Sequence, residues 1–214
     1  MILGVIPARL NSTRFPSKVI FPLKGKPIIE HVYEKALQSN LLNKVIVAVD
    51  SEETKNVINC QNIIMTSDKH QSGTDRVAEV ANNFNCDIVV NIQGDEPGID
   101  PLLIDKLIQL FEDPDVEMAS IASTDLKEDD LNNDNVVKVN LDKENNAISF
   151  IRNNLNPEST YYRHIGIYAY RKNTLNLFTS LTQSDNEKNH RLEQLRALDN
   201  NIAIKLLISD FSHR

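Results

Sequence analysis

The chain has 214 residues, of which 41% are hydrophobic and 25% charged, with a formal net charge of −7. That length and balance give a globular protein with a full hydrophobic core, and the acidic balance excludes a surface built to attract nucleic acid. Only two cysteines, Cys60 and Cys86, are present, which excludes a disulfide scaffold and a cysteine-ligated zinc site and fits reduced, buried thiols in a cytoplasmic protein.

The apolar start is too short for a signal peptide, and no apolar run reaches the roughly 20 residues of a membrane span. Short apolar runs rich in β-branched residues predict buried strands at 2–8 (ILGVIPA), 44–50 (KVIVAVD), 63–67 (IIMTS) and 87–95 (DIVVNIQGD). Between them, amphipathic segments predict helices at 27–39, 51–60, 73–84 and 100–113, the last opening on an Asp cap followed by proline. This alternation predicts a parallel sheet with helices on both faces. From 118 onward strands dominate: 118–123, 136–142, 147–152 and 162–171, expected to be antiparallel in part. A late helix over 190–198 and a final strand over 202–208 complete the reading, and the acidic, Asn-rich 126–135 is expected to be a solvated loop. No internal repeat and no linker interrupts the chain, so residues 1–214 are read as a single domain.

The charges are unevenly placed. Arg9, Arg14, Lys18, Lys24 and Lys26 all precede the first acid, Glu30. A local positive cluster in an acidic protein suggests a site for a small anion. In parallel α/β sheets, ligands bind beyond the carboxyl ends of the strands. The loop 8–18 leaves the first strand there, and the fourth strand delivers Gln93 and Asp95 to the same rim. Cations that hold phosphates, beside an aspartate that holds magnesium, are what phosphoryl or nucleotidyl transfer needs. Each part also has a plainer reading. The cations could be surface charges, and Asp95 in GDEP could be a turn residue. His70 could be a loop residue before a helix capped by Ser72 or Thr74. His164 could be a structural strand histidine, and Glu193 and Gln194 a solvated helix face. No Walker phosphate loop, no dinucleotide glycine turn and no nucleophile elbow is present. With only six glycines, phosphates must be held mainly by side chains.

Five segments in order, IPARLNSTRFPSK, HQSGTDRVAEV, VNIQGDEP, RHIGIYAYR and LEQLRAL, span residue 5 to about residue 198. Together they resemble the 3-deoxy-manno-octulosonate cytidylyltransferase (CMP-Kdo synthetase) family. The resemblance implies a Rossmann-like nucleotidyltransferase fold: a mixed, mostly parallel central sheet flanked by helices, with an antiparallel sugar-binding and dimerisation part in the second half. It implies transfer of CMP from CTP to the acidic eight-carbon sugar Kdo, with release of diphosphate, for lipopolysaccharide biosynthesis. It further implies a Mg2+ cofactor, a homodimer, no nucleic acid and no membrane insertion. Ala8, Arg9, Arg14, Lys18, Ser72, Gly73 and Arg76 match nucleotide-binding positions, with Arg9, Arg14, Lys18 and Asp95 catalytic and Asp95 the metal ligand. Gln93, Arg152, His164, Tyr168, Glu193 and Gln194 match sugar-binding positions.

The chain also departs from the family. Ser17 stands where a glycine is usual before the lysine, and 153–157 read NNLNP where an IPW-like stretch is usual. The sequence ends at Arg214, where a G-[VI]-D-T aspartate would follow as a second magnesium ligand, and Asp210 lacks that motif. The alternatives left open are a related acidic sugar (an 8-amino Kdo or a sialic acid) and a CTP-binding homologue with impaired turnover.

Overall fold

The structure, a computed structural model, describes residues 1–9 and 18–212, and the chain divides into two units, Met1–Ile108 and Gln109–Arg214. The first unit runs β1 (Ile2–Ala8), β2 (Pro22–Leu23), β3 (Lys26–Pro27), α1 (Ile28–Ala36), β4 (Lys44–Val49), α2 (Glu52–Val57), β5 (Ile63–Met65), α3 (Gly73–Asn82), β6 (Ile88–Asn91) and α4 (Pro101–Gln109). Its sheet has the order β6-β1-β4-β5, parallel throughout. Leu3, Val5, Ile6 and Ala8 of β1 and Val45 to Val49 of β4 are buried. Helices cover both faces of such a sheet, which is why its strands read as continuous rather than alternating apolar runs. Helix α1 buries Ile29, Val32, Tyr33 and Ala36, the i, i+3, i+4, i+7 face of an amphipathic helix. The small β2–β3 hairpin was not expected from the sequence. Lys24 and Gly25 both take positive φ at its turn, 50° and 87°, the conformation that two-residue hairpins favour.

Asp105 of α4 ties down the turn that follows α1. Its carboxylate accepts hydrogen bonds from the Ser39 hydroxyl and from the backbone N–H groups of Asn40 and Leu41, at 3.1 and 3.2 Å. Burial alone would raise its pKa, but these donors outweigh burial and hold the carboxyl below its ordinary value. A depressed folded-state pKa means that this stabilisation is fully present above the unfolded value and is lost as pH falls through the folded one. Asp105→Ala should cost about 1–3 kcal/mol by leaving part-buried donors without an acceptor. Urea unfolding at neutral pH reads this loss, and the gap between variant and wild type should close in acid.

The second unit runs β7 (Met118–Ser123), α5 (Glu128–Leu131), β8 (Lys138–Leu141), β9 (Ala147–Ile151), β10 (Tyr161–Arg171), α6 (Lys172–Ser180), α7 (Asp185–His190), α8 (Leu195–Asp199) and β11 (Lys205–Ser209). Strand β10 pairs antiparallel with β7 and with β8, and β8 pairs antiparallel with β9. β11 alone lies parallel to its partner, β7. The β10–β7 register shifts between Ile165 and Ala169.

Three sequence expectations are corrected here. The segment 190–198 is not one helix: α7 ends at His190, Arg191 takes a left-handed conformation with φ 53°, and α8 begins only at Leu195. The buried Glu187–Arg196 ion pair holds the two short helices together, with Arg196 Nε and Nη2 donating at 2.8 and 2.6 Å. The acidic loop 126–135 contains the one-turn helix α5. Cys86 is buried, but Cys60 is only half-buried. Burial, with Glu30 and Glu34 nearby, pushes the Cys60 thiol up to about 12, so it stays protonated and unreactive.

Candidate active site

The carboxyl ends of the parallel strands in the first unit gather most of the expected nucleotide residues. Arg9 follows β1, Gln93 and Asp95 follow β6, and Lys18 opens a 3₁₀ turn over Lys18–Ile20. Arg9, Lys18, Gly73, Arg76, Gln93 and Asp95 line one cleft. Ala8 is buried at the last position of β1. Arg14 lies outside the described residues.

Lys18 Nζ donates to Asp95 Oδ2 at 2.8 Å, and the two side chains are 44% and 36% exposed. So exposed a pair adds little to stability. Its consequence is local: a cation and a carboxylate are held beside each other at the rim of the sheet. Arg9 is exposed, and among the described residues its Nη1 donates to the Gln71 carbonyl at a long 3.4 Å.

Between Gln93 and Asp95 the chain passes so close to β1 that a Cβ on Gly94 would sit 2.9 Å from the Pro7 carbonyl oxygen. Only glycine fits there without a shift of backbone. Gly94→Ala should therefore cost about 1–3 kcal/mol, the range for overpacking a tight site, and should displace Asp95. Chemical denaturation reads the first effect and loss of magnesium-dependent activity the second.

Helix α3 points its N-terminus at the cleft through Gly73. Ser72 caps it: the Ser72 hydroxyl accepts from Asp75 N at 3.1 Å, and Asp75 accepts from Ser72 N at 3.0 Å. Ser72 thus acts by setting the helix start, where the macrodipole favours an anion. Arg76, one turn on, is buried. Its Nη1 donates to the Thr66 hydroxyl and the Ser67 carbonyl, and its Nη2 to Asp50 at 3.2 Å. Arg76 therefore braces the ends of β4 and β5 against α3 while one edge of it faces the cleft. Burial lowers its pKa, and Asp50 opposes that shift. Arg76 Nε and Asp50 Oδ1 are buried without a hydrogen-bond partner among the described residues. Asp50, Asp68 and His70 line an adjoining cleft that shares Arg9 and Arg76, and His70 pairs with Glu79. No sequence signal singled out Asp50, Asp68 or Glu79, because the partners of Asp50 (Arg76) and Glu79 (His70) are set by the packing of α3.

The expected sugar residues other than Gln93 lie in the second unit. His164 and Tyr168 are ring neighbours with centroids 5.5 Å apart, and Phe150 packs edge-on against His164 at 4.9 Å. Burial pushes the Tyr168 hydroxyl pKa well up, and Glu193 adds to the shift. Glu193 also lies 3.7 Å from Arg196. Gln194 is buried in the turn before α8, not on a solvated helix face. Arg152 donates to the Asp134 carbonyl at 2.7 Å, and its own carbonyl accepts from the buried Lys138.

Among the described residues no three His, Cys, Asp or Glu side chains converge on a possible metal site. Asp95 is a single carboxylate, and a lone carboxylate fits a magnesium ion whose other ligands are phosphate oxygens and water.

The Cytidylyltransferase family profile matches residues 3–205. The chain is 39% identical to the 3-deoxy-manno-octulosonate cytidylyltransferase of Pelobacter propionicus, with 98% of this chain and 90% of that protein covered. It is 40% identical to the protein of the same name from Thermodesulfovibrio yellowstonii, covering 97% and 89%. The solved structure of CMP:2-keto-3-deoxy-manno-octonic acid synthetase complexed with CTP superposes with a TM-score of 0.91 at 35% identity, over 97% of this chain and 89% of that one. The architecture is thus the Rossmann-like nucleotidyltransferase fold.

Proposed function

The chain belongs to the 3-deoxy-manno-octulosonate cytidylyltransferases, and from that premise we propose that it joins CTP and Kdo to give CMP-Kdo and diphosphate. The observation that carries this reading is the Lys18–Asp95 pair, 2.8 Å apart, in one cleft with Arg9, Gln93 and the α3 N-terminus.

The anomeric hydroxyl of the sugar attacks the α-phosphorus of CTP. An O–P bond forms, the bond from the α-phosphorus to the bridging oxygen breaks, and diphosphate leaves with that electron pair while the hydroxyl proton passes to solvent. Arg9, Lys18 and the N-terminus of α3 bind and orient the triphosphate, with Arg14 as a further expected contact. The chain supplies no covalent nucleophile, so its contribution is positioning and charge stabilisation. Asp95 would hold a magnesium ion, which would supply neutralisation of charge at the reacting phosphate. In the free protein Lys18 compensates Asp95; a bound triphosphate would give Lys18, and a metal would give Asp95, a new partner. Gln93, Arg152, His164, Tyr168, Glu193 and Gln194 are assigned to the sugar.

We further propose that the product feeds lipopolysaccharide assembly in the cytoplasm and that the protein acts as a homodimer. The exposed Ile148 on β9 offers an apolar contact for a second copy, which light scattering tests. No helix among the described residues is long and apolar enough to cross a membrane. Chromatographic identification of the CMP-sugar formed from Kdo, 8-amino Kdo and sialic acid tests the substrate. Kdo should be converted with the highest kcat/KM, and preferential conversion of another acid would reassign it.

A further inference from the structure

We propose that Ser120 is a positioning residue for the sugar site: it fixes the His164 tautomer with the proton on Nε2, which presents Nδ1 as a hydrogen-bond acceptor to a sugar hydroxyl. This rests on the reading that His164 meets the sugar.

Ser120 is fully buried on β7. Its Oγ lies 2.9 Å from the Ile167 carbonyl oxygen, 3.2 Å from that of Ile165 and 3.0 Å from His164 Nε2. Carbonyl oxygens only accept, and a hydroxyl has one proton. That proton goes to a carbonyl, so Oγ offers only lone pairs to the imidazole, and Nε2 must be the protonated nitrogen. A bare Nε2 would draw the hydroxyl proton away and leave both carbonyls without it, the costly arrangement in a buried site.

Both carbonyls lie where the β10–β7 register shifts, between Ile165 and Ala169. Such irregularities in a ladder re-aim side chains. The same stretch sets His164 and Tyr168 side by side, while Phe150 fixes the ring from its edge. The tautomer of a histidine is set by the hydrogen bond that its other nitrogen makes. Burial pushes the imidazole pKa down, to about 3. The ring is therefore neutral near pH 7, and with the proton on Nε2 its Nδ1 is bare. A bare nitrogen accepts from a hydroxyl and repels a carboxylate. His164 therefore reads a hydroxyl of the polyhydroxylated acid and leaves its carboxylate to cationic groups.

The test is 15N NMR of the histidine-labelled protein at pH 7 without substrate, with His164 assigned by the resonance missing in His164→Gln. The expected spectrum shows a single Nε2–H tautomer. An Nδ1–H tautomer or an imidazolium overturns the proposal, whatever any variant does. In Ser120→Ala the tautomers should mix, and the KM for Kdo should rise about tenfold, the scale of one lost hydrogen bond, with the KM for CTP unchanged. Ser120→Thr, which keeps the hydroxyl, should restore the Nε2–H form. A folded Ser120→Ala protein that retains the wild-type tautomer, or the wild-type KM for Kdo, removes Ser120 from this role. Absence of diphosphate release in a wild-type protein with the Nε2–H tautomer would count against the proposed reaction and not against the tautomer.

Discussion

Asp95→Asn is expected to fold like the wild type and to lose magnesium-dependent diphosphate release by on the order of 1,000-fold, the upper range for removing one preorganised charge contact. The side chain is 36% exposed and Lys18 is the ion-pair partner the structure gives it, so little stability depends on it. Asparagine keeps the shape and loses the charge. Among the described residues no cluster of three or more His, Cys, Asp or Glu side chains stands ready to replace it. The defect should appear in kcat, and raising magnesium should recover it only in part. An unchanged magnesium dependence in Asp95→Asn would make Asp95 a turn residue after β6 and nothing more.

Lys18→Ala is expected to lower kcat/KM by about 100-fold or more, with unfolding within about 0.5 kcal/mol of wild type, as is usual for a surface substitution. The lysine is 44% exposed, and its ion pair with Asp95 is at the cleft rim. Its removal takes positive charge from the triphosphate and leaves Asp95 without its cation in the free protein. The two losses separate in a double-mutant comparison. If Lys18 acts on the phosphates, Lys18→Ala still impairs catalysis in the Asp95→Asn background. If it only balances Asp95, the second substitution has no further effect.

Much of this was legible in the sequence because it follows from local rules. Continuous apolar runs mark β1 and β4, proline marks the start of α4, and Ser72 three residues before Asp75 marks the start of α3. The basic, acid-free opening pointed to Arg9 and Lys18, and the end of β6 pointed to Asp95. What escaped depends on partners distant in the chain. Arg76 matches a nucleotide-binding position, but its buried contacts with Thr66, Ser67 and Asp50 are not visible in the sequence. Arg191 does not announce the left-handed turn that ends α7. Ser120 is an ordinary strand serine in the sequence; only the fold sets two carbonyls and an imidazole around its hydroxyl. Arg14, central to the sequence reading, lies outside the described residues.

The most direct measurement is diphosphate release by the purified protein with CTP, magnesium and Kdo, each omitted in turn. Release should require all three, should match CMP-Kdo formed mole for mole, and should fall by on the order of 1,000-fold in Asp95→Asn. CTP that binds without diphosphate release, or release that proceeds equally without Kdo, would contradict the assignment of this cleft to sugar cytidylylation.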